Sequence, residues 1–451
     1  MTSPGHKVRL ADLLGGLSHA LDLTEGQPKG HCVRACWIGV QLGIELKLWP
    51  DEISDLYYTI LMKDLGCSSN AARICELYLT DDIALKRDFK QIDGSLPQAL
   101  RFVLGHTGLE KGLAERFRAI INILRNGGAI SRELIEARCH RGAQIAARMR
   151  FPPSVCSGIQ NLDEHWDGSG KPEGLRGAAI PLFSQIALLA QVADVFFTAA
   201  GSEAARREVV LRGGTWFRPD LAVAFGRIAA QPGFWEVLAD EHLPDFVTSL
   251  EPAQATRYAD EDYLDEISMA FAQVIDAKSS FTRGHSERVA VFTDMIAEEL
   301  GLSPGRRRWL SRGALLHDIG KLAISNAILD KPAKLTDDEF AVIKTHPVHS
   351  AAILSGIPVF ADLAPMAGGH HERLDGKGYP KRLKGGEIDL ETRIVTTADI
   401  FDALTADRPY RPAMSVSQAY DIMSRDIGVA IDPDCFTALR NALARTNSAA
   451  A

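Results

Sequence analysis

The chain lacks net positive charge: Lys and Arg number 50 against 58 Asp and Glu over 451 residues, a formal balance of -8. Broad electrostatic binding to DNA is therefore excluded, and an anionic substrate has to be met by a local basic cluster. No CxxC occurs among the seven cysteines, Cys32, Cys36, Cys67, Cys75, Cys139, Cys156 and Cys435. That odd, scattered set excludes a zinc ribbon or a disulfide framework and fits reduced thiols in a cytoplasmic protein. The opening MTSPGHKVRLADLLGG has no uninterrupted apolar stretch of signal-peptide type. The most apolar segment, Pro181 to Ala200, is broken by Gln185, Gln191 and Asp194, which predicts a buried helix and no membrane insertion. Runs of alternating strand pattern are missing as well.

Helical periodicity fills the space those absences leave. Residues 262 to 277 place Leu264, Ile267, Phe271, Val274 and Ile275 on one face. Val289 to Leu300 and Trp309 to Leu316 repeat the pattern, with Ser303-Pro304-Gly305 read as a breaker between them. Thr336 followed by Glu339 predicts a capped helix start. The expected fold is all-α. At 451 residues, 46% hydrophobic and 24% charged, more than one globular domain is expected.

The chain also repeats itself. Asp375-Gly376-Lys377-Gly378-Tyr379-Pro380 echoes Asp167-Gly168-Ser169-Gly170-Lys171-Pro172 at an offset of 208 (375 − 167). Gly284-His285-Ser286-Glu287-Arg288 echoes Gly30-His31-Cys32-Val33-Arg34 at 254 (285 − 31), and Leu316-His317-Asp318-Ile319-Gly320 echoes Met62-Lys63-Asp64-Leu65-Gly66 at the same 254. The first copy thus carries 46 extra residues (254 − 208) between the blocks. We expect two tandem helical bundles, residues 1–255 and 256–451.

The chemistry-bearing residues cluster in the second copy. Adjacent ligand-type pairs, His317-Asp318 and His370-His371, suit divalent metals, and a carboxylate can bridge two of them. Two bridged metals clamp an in-line phosphoryl displacement, so a phosphohydrolase is the first hypothesis. The ordered strings His317-Asp318-Ile319-Gly320-Lys321, His370-His371-Glu372, Asp375-Gly376-Lys377-Gly378-Tyr379-Pro380, Ala398-Asp399-Ile400-Phe401-Asp402 and Asp407-Arg408-Pro409-Tyr410-Arg411 resemble the HD-GYP subgroup of the HD phosphohydrolases. The resemblance covers the second copy and makes each bundle HD-domain-like.

It implies metal ligands at His285, His317, Asp318, His346, His370, His371 and Asp399, with Asp318 bridging two divalent ions, iron or manganese. A metal-bridging hydroxide would attack phosphorus. Asp318 and Lys321 are the implied catalytic residues, Lys321 being placed one helical turn from His317 to neutralise a phosphate oxygen. Arg408 and Arg411 would grip the second phosphate, and Lys321, Gly378 and Tyr379 complete the substrate contacts. Members with a third metal place a Glu four residues before the first histidine; Phe281 stands there, so two metals are expected. The implied substrate is cyclic di-GMP, opened to pGpG and on to GMP. The alternatives are another cyclic dinucleotide or nucleotide, and a low-turnover cyclic-dinucleotide-binding scaffold. Tyr379 is the expected contact to a GGDEF-domain protein, and a homodimer is a further expectation.

Carried through the offsets, the first copy keeps His31 and Asp64 but has Lys63 for His317, Cys67 for Lys321 and Arg138 for His346. Leu162 and Asp163 replace His370 and His371, and Gln191 replaces Asp399. Fixed positive charge at Lys63 and Arg138 would repel metal. The first copy is expected to be a degenerate domain of structural or regulatory role, with a vestigial pocket at Lys63 and Arg138 able to take an anion.

Overall fold

The computed structural model describes residues 7–92, 95–109, 111–407 and 412–449. As expected, the fold is all-α. Among the described residues, strand is confined to one antiparallel pair, Val8–Arg9 with Tyr258–Ala259, in which Val8 faces Ala259 and Arg9 faces Tyr258.

The chain divides into two compact units, Met1–Tyr263 and Leu264–Ala451. The division lies beyond residue 255 for a physical reason. The strand pair ties Tyr258–Ala259 to the start of the first unit, and the Tyr263 hydroxyl donates to the Met149 carbonyl at 2.5 Å.

In the first unit the His31–Glu45 helix packs against Pro50–Leu61 and Leu182–Ala200. In the second, His285–Glu299 packs against Pro304–Leu316, Leu390–Thr405 and Pro433–Ala449. The helix starts His31, Pro50 and Leu182 correspond under the two offsets to His285, Pro304 and Leu390. Before each histidine the backbone turns through the left-handed region, at Gly30 (φ 87°) and Gly284 (φ 68°), where a side chain would be strained. The extra residues of the first copy fall where Ala71–Tyr78, Asp82–Phe89, Leu96–His106 and the long Leu113–Arg148 helix lie.

The apolar faces read from sequence point inward. Leu264, Ile267, Phe271, Val274 and Ile275 are all buried, each contributing roughly 1.5–3 kcal/mol. Leu182–Ala200 is long and apolar enough to cross a membrane, but two-thirds of it (67%) is buried inside the molecule, as expected of a core helix.

Two local expectations are corrected. Ser303-Pro304-Gly305 does separate the two helices, but the second begins within it rather than near Trp309: Ser303 Oγ accepts the Arg306 N–H at 3.4 Å and Pro304 occupies the first turn, where its missing N–H costs nothing. The other concerns Lys321, which does not share a helix face with His317. The helix ends at Leu316, and Lys321 lies on a separate 3-10 turn, Ile319–Ala323. A Cβ at Gly320 would collide with the His346 carbonyl, so this glycine lets the turn press against the helix that carries His346.

Candidate metal centre

The second unit gathers its seven ligand-type residues around Asp318. His285 starts one helix, His317 ends the next, His346 starts a third, and His370 follows the Ala364–Gly369 helix. Asp399 lies within Leu390–Thr405. Two groupings result. His285, His317 and Asp399 bring ligand atoms within 4.8 Å of one another, and so do His346, His370 and His371. Asp318 stands between them. Its Oδ2 lies 3.5 Å from His285 Nε2 and 3.3 Å from His317 Nε2. Its Oδ1 lies 3.2 Å from His346 Nε2 and 3.6 Å from His370 Nε2. One carboxylate thus offers an oxygen to each group.

The rings are aimed by the backbone. Nδ1 of His317, His346 and His370 donates to the carbonyl three residues earlier, Ala314, Ile343 and Ala367, at 2.6 to 2.7 Å. Each Nε2 lone pair then faces the centre, the arrangement that fixes tautomer and basicity in metal-binding histidines. His285 is aimed by a side chain instead: its Nδ1 meets Asp402 Oδ2 at 2.7 Å, and Arg288 Nε holds the other Asp402 oxygen at 2.5 Å.

Without a cation this packing is electrostatically unfinished. His317 Nε2 and Asp318 Oδ1 are buried and have no hydrogen-bond partner, a costly state unless something else binds them. Burial depresses His285, but hydrogen bonds with Asp318 and Asp402 outweigh it and raise its pKa to about 9. Burial holds His370 down to about 4 and His371 well below the ordinary imidazole value. Asp318 is pushed up by burial, yet the charges of His317 and Lys321 bring it well below the usual carboxylate range. A buried carboxylate flanked by inward-facing imidazoles fits two divalent metals.

Lys321 pairs its ammonium with Asp318 Oδ2 and reaches an open cleft beside His285 and Asp318. Tyr379 packs against the other histidine group, its ring 4.9 Å from that of His371. Gly378 is buried against the backbone of residues 371–373, where a Cβ would find no room. Arg408 and Arg411 lie outside the described residues.

Several supporting residues had no role in the sequence reading. Asp402 and Arg288 orient His285. Glu372 accepts three backbone N–H bonds, from Lys381, Arg382 and Leu383, at 2.6, 3.1 and 3.0 Å, pinning the loop that carries Tyr379. Asp276 accepts from the Ser286 N–H and hydroxyl, fixing the start of the His285 helix. A signal for all of them was available: at the two offsets the first copy has Asp194, Arg34, Glu164 and Asp22 in the same places.

The first unit repeats that support without the centre. His31 Nδ1 meets Asp194 Oδ2 at 2.6 Å, and Arg34 holds Asp194. Where the second unit has the His317 ring, the Lys63 ammonium pairs with Asp64 and approaches His31 Nε2 at 3.0 Å. Arg138 and Asp163, at the positions of His346 and His371, form an ion pair with each other. Lys90, from the inserted segment, lies 2.8 Å from Glu25 and 3.9 Å from Asp64. The anion pocket expected at Lys63 and Arg138 is therefore not offered, because both charges are consumed internally.

Comparison with known proteins bears on both units. A family model described as HD domain matches residues 110–209 and 269–435. The chain is 51% identical over 434 residues to the 3′3′-cGAMP-specific phosphodiesterase 3 of Vibrio cholerae, covering 96% of this chain and 94% of that one. A crystal structure of a cyclic GMP-AMP specific phosphodiesterase from V. cholerae matches 97% of this chain and 98% of its own, at 46% identity and a TM-score of 0.67. A cyclic di-GMP phosphodiesterase response regulator of Xanthomonas campestris pv. campestris is 42% identical over 173 residues, 37% of this chain and 45% of its own length.

Proposed function

The chain belongs to the HD-GYP family of HD-domain proteins, and from that premise we propose that its second unit is a metal-dependent phosphodiesterase of 3′,3′-cyclic dinucleotides. The observation that carries this reading is the placement of Asp318, with one oxygen toward His285 and His317 and the other toward His346 and His370.

Two divalent ions, iron or manganese, would be held by His285, His317 and Asp399 on one side and by His346, His370 and His371 on the other, bridged by Asp318. Bound there, they would supply a water of lowered pKa and polarise the scissile phosphate. The chain's own residues do the rest. Asp402 and the carbonyls of Ala314, Ile343 and Ala367 keep the imidazole lone pairs aimed, so loading requires no reorientation of the rings. Metal binding at His285 would have to displace the proton that its hydrogen bonds with Asp318 and Asp402 favour. Lys321 brings positive charge to a phosphate held in the cleft that it lines with His285 and Asp318, and Tyr379 packs its ring beside His371.

For the substrate we place 3′3′-cGAMP ahead of cyclic di-GMP. This reverses the emphasis of the motif resemblance, and it rests on the full-length relative named for that specificity. The first unit has a structural or regulatory role, and a cytoplasmic location accompanies this reading. A contact with a GGDEF-domain protein through Tyr379 and a homodimer remain expectations of the motif resemblance and are not part of this reading.

The test is hydrolysis by full-length protein reconstituted anaerobically with Fe(II) and separately with Mn(II). Both dinucleotides are supplied in parallel, and the linear products are resolved by chromatography. We expect turnover of both, with the higher kcat/KM on 3′3′-cGAMP. No product from either, with two ions bound, would refute the enzymatic reading; a preference for cyclic di-GMP would refute only the substrate order.

A further inference from the structure

The cleft beside Asp318 has a wall that metal binding does not explain. Ile275, Phe281 and Leu329 contribute apolar surface to it, and it opens onto Asp318 and Lys321. We propose that this cleft is a subsite for one purine base of the substrate, with the Phe281 ring as its stacking platform. The proposal rests on the cyclic-dinucleotide reading above and adds which surface meets a base.

Position is the first argument. A base held here is adjacent to Lys321, whose ammonium would face the phosphate, so ring and phosphate of one nucleotide are accommodated together. Rigidity is the second. Phe281 sits in the short connection between the Glu261–Asp276 and His285–Glu299 helices. Its own N–H donates to Ser279 Oγ at 3.2 Å, and the Thr282 hydroxyl donates to the carbonyls of Asp276 and Ser279 at 3.0 and 3.1 Å. Asn326 Nδ2 donates to the Lys278 carbonyl at 2.5 Å. The half-exposed ring is thus carried on a tied loop, which lowers the entropic cost of stacking.

The third argument concerns what the wall can read. Ser279 directs its hydroxyl to Asp330, Thr282 directs its own to backbone carbonyls, Asp276 is occupied by Ser286, and Lys278, which also lines the cleft, is only 1% exposed. These groups are committed to holding the loop, so the wall offers chiefly an aromatic face and aliphatic edges. Stacking on such a face tolerates any purine, because every base has a π-surface. The subsite therefore contributes affinity for guanine and adenine alike, and discrimination between the two dinucleotides arises elsewhere.

Steady-state kinetics of the metal-reconstituted full-length protein test this with Phe281→Ala and Phe281→Trp. We expect Phe281→Ala to raise KM about tenfold for both 3′3′-cGAMP and cyclic di-GMP, with the loss concentrated in KM rather than kcat. Phe281→Trp should restore KM toward that of the wild type. An unmoved KM, a loss confined to kcat, or failure of Trp to restore binding at unchanged metal content would overturn the subsite. Calorimetric binding of both dinucleotides to the same proteins keeps the two readings apart. A wild type that binds without hydrolysis overturns the proposed function, whereas one that hydrolyses with Phe281→Ala unaffected overturns the subsite alone. Neither binding nor hydrolysis overturns both.

Discussion

In the second unit His285 is held from behind by Asp402 and presents its Nε2 to Asp318 and Asp399; in the first, His31 is held from behind by Asp194 and presents its Nε2 to the Lys63 ammonium. The support is the same and the occupant differs. Around it, Glu164 and Glu372 each collect three backbone N–H groups at corresponding places. Asp22 and Asp276 each anchor a helix start, and burial raises both to a pKa of about 6. What changed is the source of positive charge. The first unit supplies it covalently, from Lys63, Lys90 and Arg138, against Asp64, Glu25 and Asp163. Burial lowers the Lys63 pKa, and the Asp64 charge more than offsets it, so the ammonium stays charged. His31, in contrast, is kept neutral by burial and by Lys63. A buried acid needs a cation, and a lysine can meet that need without chemistry.

Four experiments probe this contrast, ordered by expected effect. Asp318→Asn removes the carboxylate charge and replaces one of the two oxygens that face the two histidine groups by an amide nitrogen, and we expect a loss in kcat/KM on the order of 10³-fold, roughly 4 kcal/mol of transition-state stabilisation. Retained turnover would mean the centre lies elsewhere. Lys63→Met leaves Asp64 with the more distant Lys90 and the weak thiol donors Cys32 and Cys67. We expect the first unit to lose about 3 kcal/mol by denaturant titration, with hydrolysis unchanged. Loss of turnover in a folded Lys63→Met protein would give the first unit a part in the chemistry.

Asp402→Asn releases His285 and should weaken metal binding about 10- to 100-fold, read by competition with a chelator. The matching Asp194→Asn should leave metal content alone. Smallest is a pH effect at His165, whose counterpart in the second unit is the permanently charged Arg373. Burial depresses His165 to about 4, below its unfolded value of about 6.5. The folded unit resists protonation there, so stability present above pH 6.5 falls as pH drops toward 4. Relative to wild type, His165→Gln should flatten thermal stability over that window by about 1 kcal/mol, and an identical pH slope would exclude the effect.

Much of this was legible in the sequence, because helix faces and paired ligands are local patterns. The inward face of residues 264–275 and the ligand types at 317–318 and 370–371 could be read directly. Convergence of His346 with His370 could not, since it depends on how closely the Gly320 turn packs under the His346 carbonyl. The placement of Lys321 one helical turn from His317 failed for a similar reason: the helix stops at Leu316, where the periodic pattern stops, and Lys321 follows on a separate 3-10 turn packed against the His346 helix. The ion pairs of the first unit stayed hidden too. Lys63 and Arg138 read as open positive charge until Asp64, Asp163 and Glu25 were seen against them. Asp402 went unread although Asp194 repeats it, because a carboxylate one turn beyond a ligand is a common surface pattern.

Metal stoichiometry tests the central claim most directly. The full-length protein, loaded with Mn(II) or Fe(II) and freed of excess ion, is compared by elemental analysis with its Asp318→Asn and Lys63→Met variants. We expect two ions per wild-type chain, two in Lys63→Met, and a clear loss in Asp318→Asn. Four ions per chain, or two that survive in Asp318→Asn but vanish in Lys63→Met, would contradict the assignment of the metal centre to the second unit alone.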